Sequence, residues 1–285
     1  MKTKAITQEQ FDAIAGDLRE AYGMGPEGLR TIAASIAQPI YDEIKQKEIA
    51  SLLLTENKLP KGEPARYNKI KEVRAYWIAS GGQVHRSNMS DDEIEFPVER
   101  VASNPAIDVS VLRNGDIHRL TDMEKWAGAA IRKKLNQRAV RVISEAVPEA
   151  NTVEIGGASL TEDGLNQAVS LLEDKDLTVK YIVMRGGRFN DMRGWELDPV
   201  TERELREKGI LKYYGGAQVL TTASARMDEV LLVPDEQIGK IAIRTPIAVE
   251  PDSRPSEFKI SWVVWMEIAM GVLRPDMLAK VKILG

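Results

Sequence analysis

Three stretches near the carboxy terminus decide how the fold is read: YYGGAQVLTTAS at 213–224, EVLLVPDEQIGKIAIRTPIAVEP at 229–251 and FKISWVVWMEIAMGVLRPDMLAKVKIL at 258–284. β-Branched and aromatic residues crowd them, and Gly, Pro and Asp divide them, which is the composition of strands separated by turns. Strands are expected at 218–222, 229–234, 238–244, 247–249, 258–270 and 277–284. Just upstream, 150–208 alternates helix and strand. Thr161 opens a helix carrying Leu165, Val169 and Leu172, 178–184 reads as a strand, and 198–208 as a charged surface helix ending at Gly209.

Further back, 107–112 is a strand candidate. The longest helix follows: Thr121 with Glu124 forms a capping box, and Met123, Trp126, Ala127, Ala130, Ile131, Leu135, Ala139, Val142, Ile143 and Ala146 keep helical spacing until Pro148. At ~1.5 Å per residue this helix would be roughly 39 Å long. Before it, 61–103 reads as a long β-hairpin with one basic arm (Arg66, Lys69, Lys71, Arg74, then Tyr76 and Trp77) and one acidic arm (Glu93, Glu95, then Phe96). Opposite charges on facing strands help fix register, at roughly 0.2–1 kcal/mol per pair. An isolated hairpin is marginal in water, so Lys69, Lys71, Arg74, Tyr76, Trp77, Glu93, Glu95 and Phe96 are candidate contacts with something outside it. The first sixty residues look helical and arm-like, interrupted at 23–28 and again at Pro39, with an apolar stripe so narrow that it needs another surface to lie on.

Composition limits the chemistry. The chain has 285 residues, 43% hydrophobic and 29% charged, with formal net charge −4, no cysteine and two histidines. Disulfides and thiolate metal sites are excluded, and tight wrapping of nucleic acid is disfavoured by the charge. No apolar run approaches the ~20 residues of a membrane span, and the amino terminus carries no signal-peptide core, so cytoplasmic synthesis is expected. Gly23, Gly25 and Gly28 match a dinucleotide-binding spacing but lack the preceding strand, so they read as a helix-breaking turn. The glycine pairs at Gly81, Gly156, Gly186 and Gly215 read as turns too, without the lysine of a phosphate loop. His85 and His118 share no metal or catalytic spacing, and Asp91, Asp92 and Glu93 lack that of a calcium loop. No catalytic, cofactor or metal site is expected.

The order of the carboxy-terminal features resembles the major capsid proteins of tailed phages, the Hong Kong 97-type family. In that family a strand and polar turn lead to a glycine and a basic strand, then to an extended aromatic strand and a closing strand. Here the corresponding stretches are 230–235, 239–244, 258–270 and 271–283, with Arg274-Pro275 at the turn. The resemblance implies an α+β fold with an amino-terminal arm (1–60), an extended loop (61–103), a peripheral domain (104–149 and 246–285) with a spine helix at 121–147, and an axial domain (150–245). It implies a structural, non-enzymatic protein that assembles with copies of itself into hexamers, pentamers and an icosahedral shell around double-stranded DNA, with no cofactor. The location would be the virion, assembled in the host cytoplasm. Partners would be a separate scaffolding protein, a portal protein and a decoration protein, with DNA held only by proximity. Some relatives cross-link through a loop lysine, a region that here holds Lys69 and Lys71; no cross-link is inferred. Two rivals stay open: an encapsulin-type compartment of the same fold, and more remotely a soluble α/β enzyme.

Overall fold

Asp116, not Thr121, starts the long helix. Its carboxylate accepts from the Arg119 amide at 3.3 Å, and α5 runs Ile117–Ala146, five residues longer at its start than the capping box implies. Either pattern can cap a helix; here Thr121 falls inside it. The same choice recurs just upstream. The Asp108 side chain accepts from the Ser110 amide at 2.8 Å, so the strand expected over 107–112 is only β5 (Ala106–Asp108), followed by helix α4 (Val109–Asn114), which ends at Gly115 with φ 67°.

The computed structural model describes residues 8–46, 48–68, 92–195, 213–254 and 258–285. The amino-terminal part forms α1 (Gln8–Gly23), α2 (Pro26–Gln46) and a single turn α3 (Ala50–Leu53), then the strand β1 (Thr55–Lys58). Helix α2 passes through Pro39 without a break. Proline removes one helical hydrogen bond, but Pro39 is on the exposed face, where water can serve the freed carbonyl, and Ile36 and Ile40 on either side are buried.

Helix α2 lies along α5. A Cβ on Gly128 would meet Glu43 Cβ at 2.9 Å and the Ile40 carbonyl at 3.1 Å, so the helices approach where only glycine fits. Arg132 binds Glu43 at 2.7 Å, and Asn136 binds the start of α3. These partners advance together along both chains, so the two helices run parallel. Ile32, Ile36, Ile40 and Ile44 are all buried, each contributing about 1.5–3 kcal/mol. The surface that the arm's stripe needs is therefore supplied by α5 of its own chain.

Among the described residues two larger sheets complete the core of the fold. One has the order β1–β11–β12–β4, with β5 also on β12; β4 is Val98–Ser103, β11 Gly239–Arg254 and β12 Lys259–Val272. The strands expected at 238–244 and 247–249 are thus one strand, whose register slips around Thr245 to Ala248 and so accommodates Pro246. The other has the order β6–β13–β10–β7–β9–β8: β6 is Thr152–Gly156, β7 Val179–Met184, β8 Tyr213–Tyr214, β9 Ala217–Thr221, β10 Glu229–Pro234 and β13 Ala279–Leu284. Helix α6 (Glu162–Glu173) packs on it, capped by Thr161 as its sequence indicates. Gly186, read as a turn, instead begins the short helix α7 (Gly186–Met192). The helix expected at 198–208 lies outside the described residues.

Sheet membership does not follow the division at 245. Strand β11 begins at Gly239, and β13 leaves the 246–285 stretch to pair with β6 and β10. Buried polar contacts sew this crossing together. The Ser144 hydroxyl of α5 donates to Glu229 of β10, which also faces Lys280 of β13 at 3.7 Å. Asn151 donates to the carbonyls of Asp276 and Leu278 at 2.9 and 2.7 Å.

Candidate assembly surface

The two strands that flank residues 69–91 are fixed by their own packing. Strand β2 (Ala65–Asn68) pairs antiparallel with β3 (Glu93–Phe96). The Phe96 ring packs against Tyr67 with centroids 5.3 Å apart. It also fills the space over Gly271 of β12, where a Cβ would sit 2.1 Å from the ring. Ala65, Ala242, Ala269 and Leu273 close this small core. Tyr67 is held from its other sides: Asn57 donates to its hydroxyl at 3.2 Å and Lys240 lies 4.7 Å over its ring.

The eight loop residues singled out from sequence divide accordingly. Glu95 meets Arg66 at 3.0 Å in direct register, both half-exposed, so one pair of the basic and acidic arms faces as expected. Glu93 is exposed opposite Asn68. Phe96 is only 5% exposed and packs inside its own chain, so it is not available as a contact between subunits. Lys69, Lys71, Arg74, Tyr76 and Trp77 lie outside the described residues. Strand β4, which falls within 61–103, pairs with β12 and belongs to the large sheet rather than the loop.

Elsewhere the surface carries large apolar side chains that no described residue covers. Trp126 on α5 is 73% exposed and Phe258, at the start of β12, is 74% exposed with φ 53°. Met24, Met227 and Tyr213 are also exposed. Trp126 keeps helical spacing with the core residues of α5 yet points away from them, as does Ala130. Hollows open onto this surface. One of about 500 Å³ lies beside the loop root, between Tyr41, Asn57, Leu59 and Pro246.

Among the described residues no three His, Asp or Glu side chains come together as a metal site. His118 lies in the first turn of α5; His85 and Asp91 lie outside the described residues. The Gly23–Gly28 spacing is a helix–helix turn: Gly25 has φ 68°, and a Cβ on Gly28 would meet the Ala21 carbonyl at 1.5 Å. Burial, then the neighbouring Glu162 carboxylate, pushes the Tyr214 hydroxyl up to about 12. Burial pushes Glu124 up to about 7. Among the described residues no helix is long and apolar enough to cross a membrane.

No family model and no curated protein matches the sequence. Solved structures do. The capsid of cyanophage P-SCSP1u superposes with a TM-score of 0.61 at 14% identity, over 82% of this chain and 87% of that one. The mature capsid of bacteriophage PhiM1 gives 0.61 at 10% identity, over 84% and 88%. The virus-like particle from Pyrococcus furiosus gives 0.60 at 13% identity, over 88% and 99%.

The chain has the Hong Kong 97-type capsid fold. At this identity the likeness carries the fold and not the roles of single residues. Within the Hong Kong 97-type frame, sequence reading expected a hairpin at 61–103 but missed the packing that roots β2 and β3. Gly271 was legible only as part of a strand-and-turn motif, and its partner Phe96 lies far away in the sequence. The exposure of Trp126 had no signal in the helical period.

Proposed function

We propose that this protein is a shell subunit, the major capsid protein of a tailed phage, assembling through hexamers and pentamers into an icosahedral container for double-stranded DNA. The observation that carries the reading is the extent of the structural likeness, which takes in most of this chain and most of each phage capsid chain. Exposed apolar side chains are what a subunit offers when its remaining burial comes from neighbours. The arm, loop, peripheral and axial parts then keep the order given above, with three revisions: β4 and the start of β11 go with the peripheral sheet and β13 with the axial one. A separate scaffold, a portal and a decoration protein are the partners this reading anticipates, and the work of the chain is structural rather than catalytic. Light scattering on purified protein tests it: megadalton particles, or capsomers that become particles with scaffold, are expected, whereas a discrete small oligomer would support a soluble enzyme instead.

A second reading has a specific observation behind it. The Pyrococcus furiosus particle chain is covered over 99% of its length. An encapsulin-type compartment would enclose protein cargo. Particles holding nuclease-protected DNA support the viral reading, and particles holding a co-purifying enzyme support the compartment.

A further inference from the structure

Between Glu124 and Glu145 the long helix carries six cations and no acid, in a chain whose net charge is −4. The three arginines are engaged. Arg132 binds Glu43 at 2.7 Å, Arg138 binds Glu99 at 2.9 Å and Arg141 binds Glu145 at 2.7 Å. The three lysines, Lys125, Lys133 and Lys134, are exposed and have no ion pair among the described residues. Trp126 stands on the side of α5 that carries Lys133, with Lys134 a quarter turn round, and is 73% exposed. From Trp126 to Lys133 is two helical turns, about 10 Å. The side chains between them on that face are Ala129 and Ala130, too short to hold a ligand off.

From this arrangement we propose that the outward face of α5 binds the phosphate backbone of double-stranded nucleic acid, with Lys133 and Lys134 on phosphates and Trp126 alongside. Lysine suits the task, being a mobile point charge that follows a phosphate track without demanding one geometry. The arginines, the better partners for fixed carboxylates, are already spent on carboxylates of their own chain. The Trp126 N–H is a donor for a phosphate oxygen, and its ring covers sugar surface. Acids sit at the ends of the face, as Asp122 and Glu145. Glu124 carries only part of a charge near neutral pH, because burial raises it to about 7. Whole-chain charge argues for DNA held by proximity alone; a local run of one sign overrides an average over the surface. The inference goes beyond the shell reading and is tested apart from it. If both hold, this face lines the interior.

The test is fluorescence anisotropy of a labelled 30-base-pair duplex with the purified full chain, against salt. The wild type should bind, with log K falling against log salt at a slope of about 2 to 3, as expected for two or three phosphates. Lys133→Glu with Lys134→Glu should weaken binding at least tenfold without changing the melting temperature, and Lys133→Arg with Lys134→Arg should restore it. Trp126→Phe should remove most of the tryptophan quenching seen on duplex addition. Absence of duplex binding by the wild type, wild-type affinity in the double-Glu variant, or preference for a poly-glutamate peptide over the duplex would each overturn the proposal. Particle formation by the double-Glu variant, read by light scattering, separates the two claims: particles with no duplex binding in any variant sink this inference and leave the shell intact.

Discussion

Asn136 of α5 accepts a 2.9 Å hydrogen bond from the backbone amide of Ile49. The same oxygen takes the Ala50 amide at 3.2 Å. One buried side chain thus supplies a distant helix start with the cap its own sequence lacks, since Ile49 has no side-chain acceptor. This contact sets where the amino-terminal segment turns from α2 into β1.

Asn136→Ala leaves two amides without this acceptor, one of them fully buried. A loss of about 1–3 kcal/mol is expected. Urea denaturation followed by circular dichroism should show a lower midpoint with little change in slope. An unchanged midpoint would mean the amides find water instead.

Gly271 and Phe96 should be energetically coupled. Gly271→Ala places a methyl where the Phe96 ring sits, costing about 1–3 kcal/mol as overpacking. In a Phe96→Ala background the same change should cost much less. A double-mutant cycle on stability reads the coupling, and additive effects would show that the ring is not what requires glycine there.

These two contacts mark what was legible in the sequence and what was not. Thr161 announced α6 because a cap and its helix are neighbours in sequence. Asp116 and Thr121 can both cap a helix, and the structure uses Asp116. Pro39 was read as a break because its exposure could not be seen, and Trp126 was grouped by spacing with residues that prove buried, because spacing does not say which side of a stripe lacks a partner. Strand β13 followed β12 in sequence, yet its pairing with β6 and β10 depends on contacts made across the whole chain. The carboxy-terminal strands were readable because their composition and turns are local. The loop's root was not, because Phe96 and Gly271 are remote.

Glu124 gives a pH dependence with a definite sign. Burial raises its folded-state pKa from the ordinary value near 4.5 to about 7, so between these values the folded chain holds a proton that the unfolded chain has lost. Stability should therefore be greatest below about pH 4.5 as far as this group is concerned, fall as pH rises to about 7, and level off above. Glu124→Gln should raise the melting temperature at pH 8, have little effect at pH 4.5, and so flatten the profile between. Equal shifts at both pH values would mean Glu124 does not titrate in this way.

For the loop, Trp77→Glu should leave the subunit folded, with unchanged circular dichroism and melting temperature, while lowering the yield of particles. Normal particle yield would remove Trp77 from the assembly contacts.

The central claim is that the chain builds a closed shell, and negative-stain imaging of the purified protein under assembly conditions, with scaffold where needed, tests it most directly. Uniform icosahedral particles are the predicted result. A stable monomer of about 32 kDa under every condition, with no particles on the grid, would contradict it.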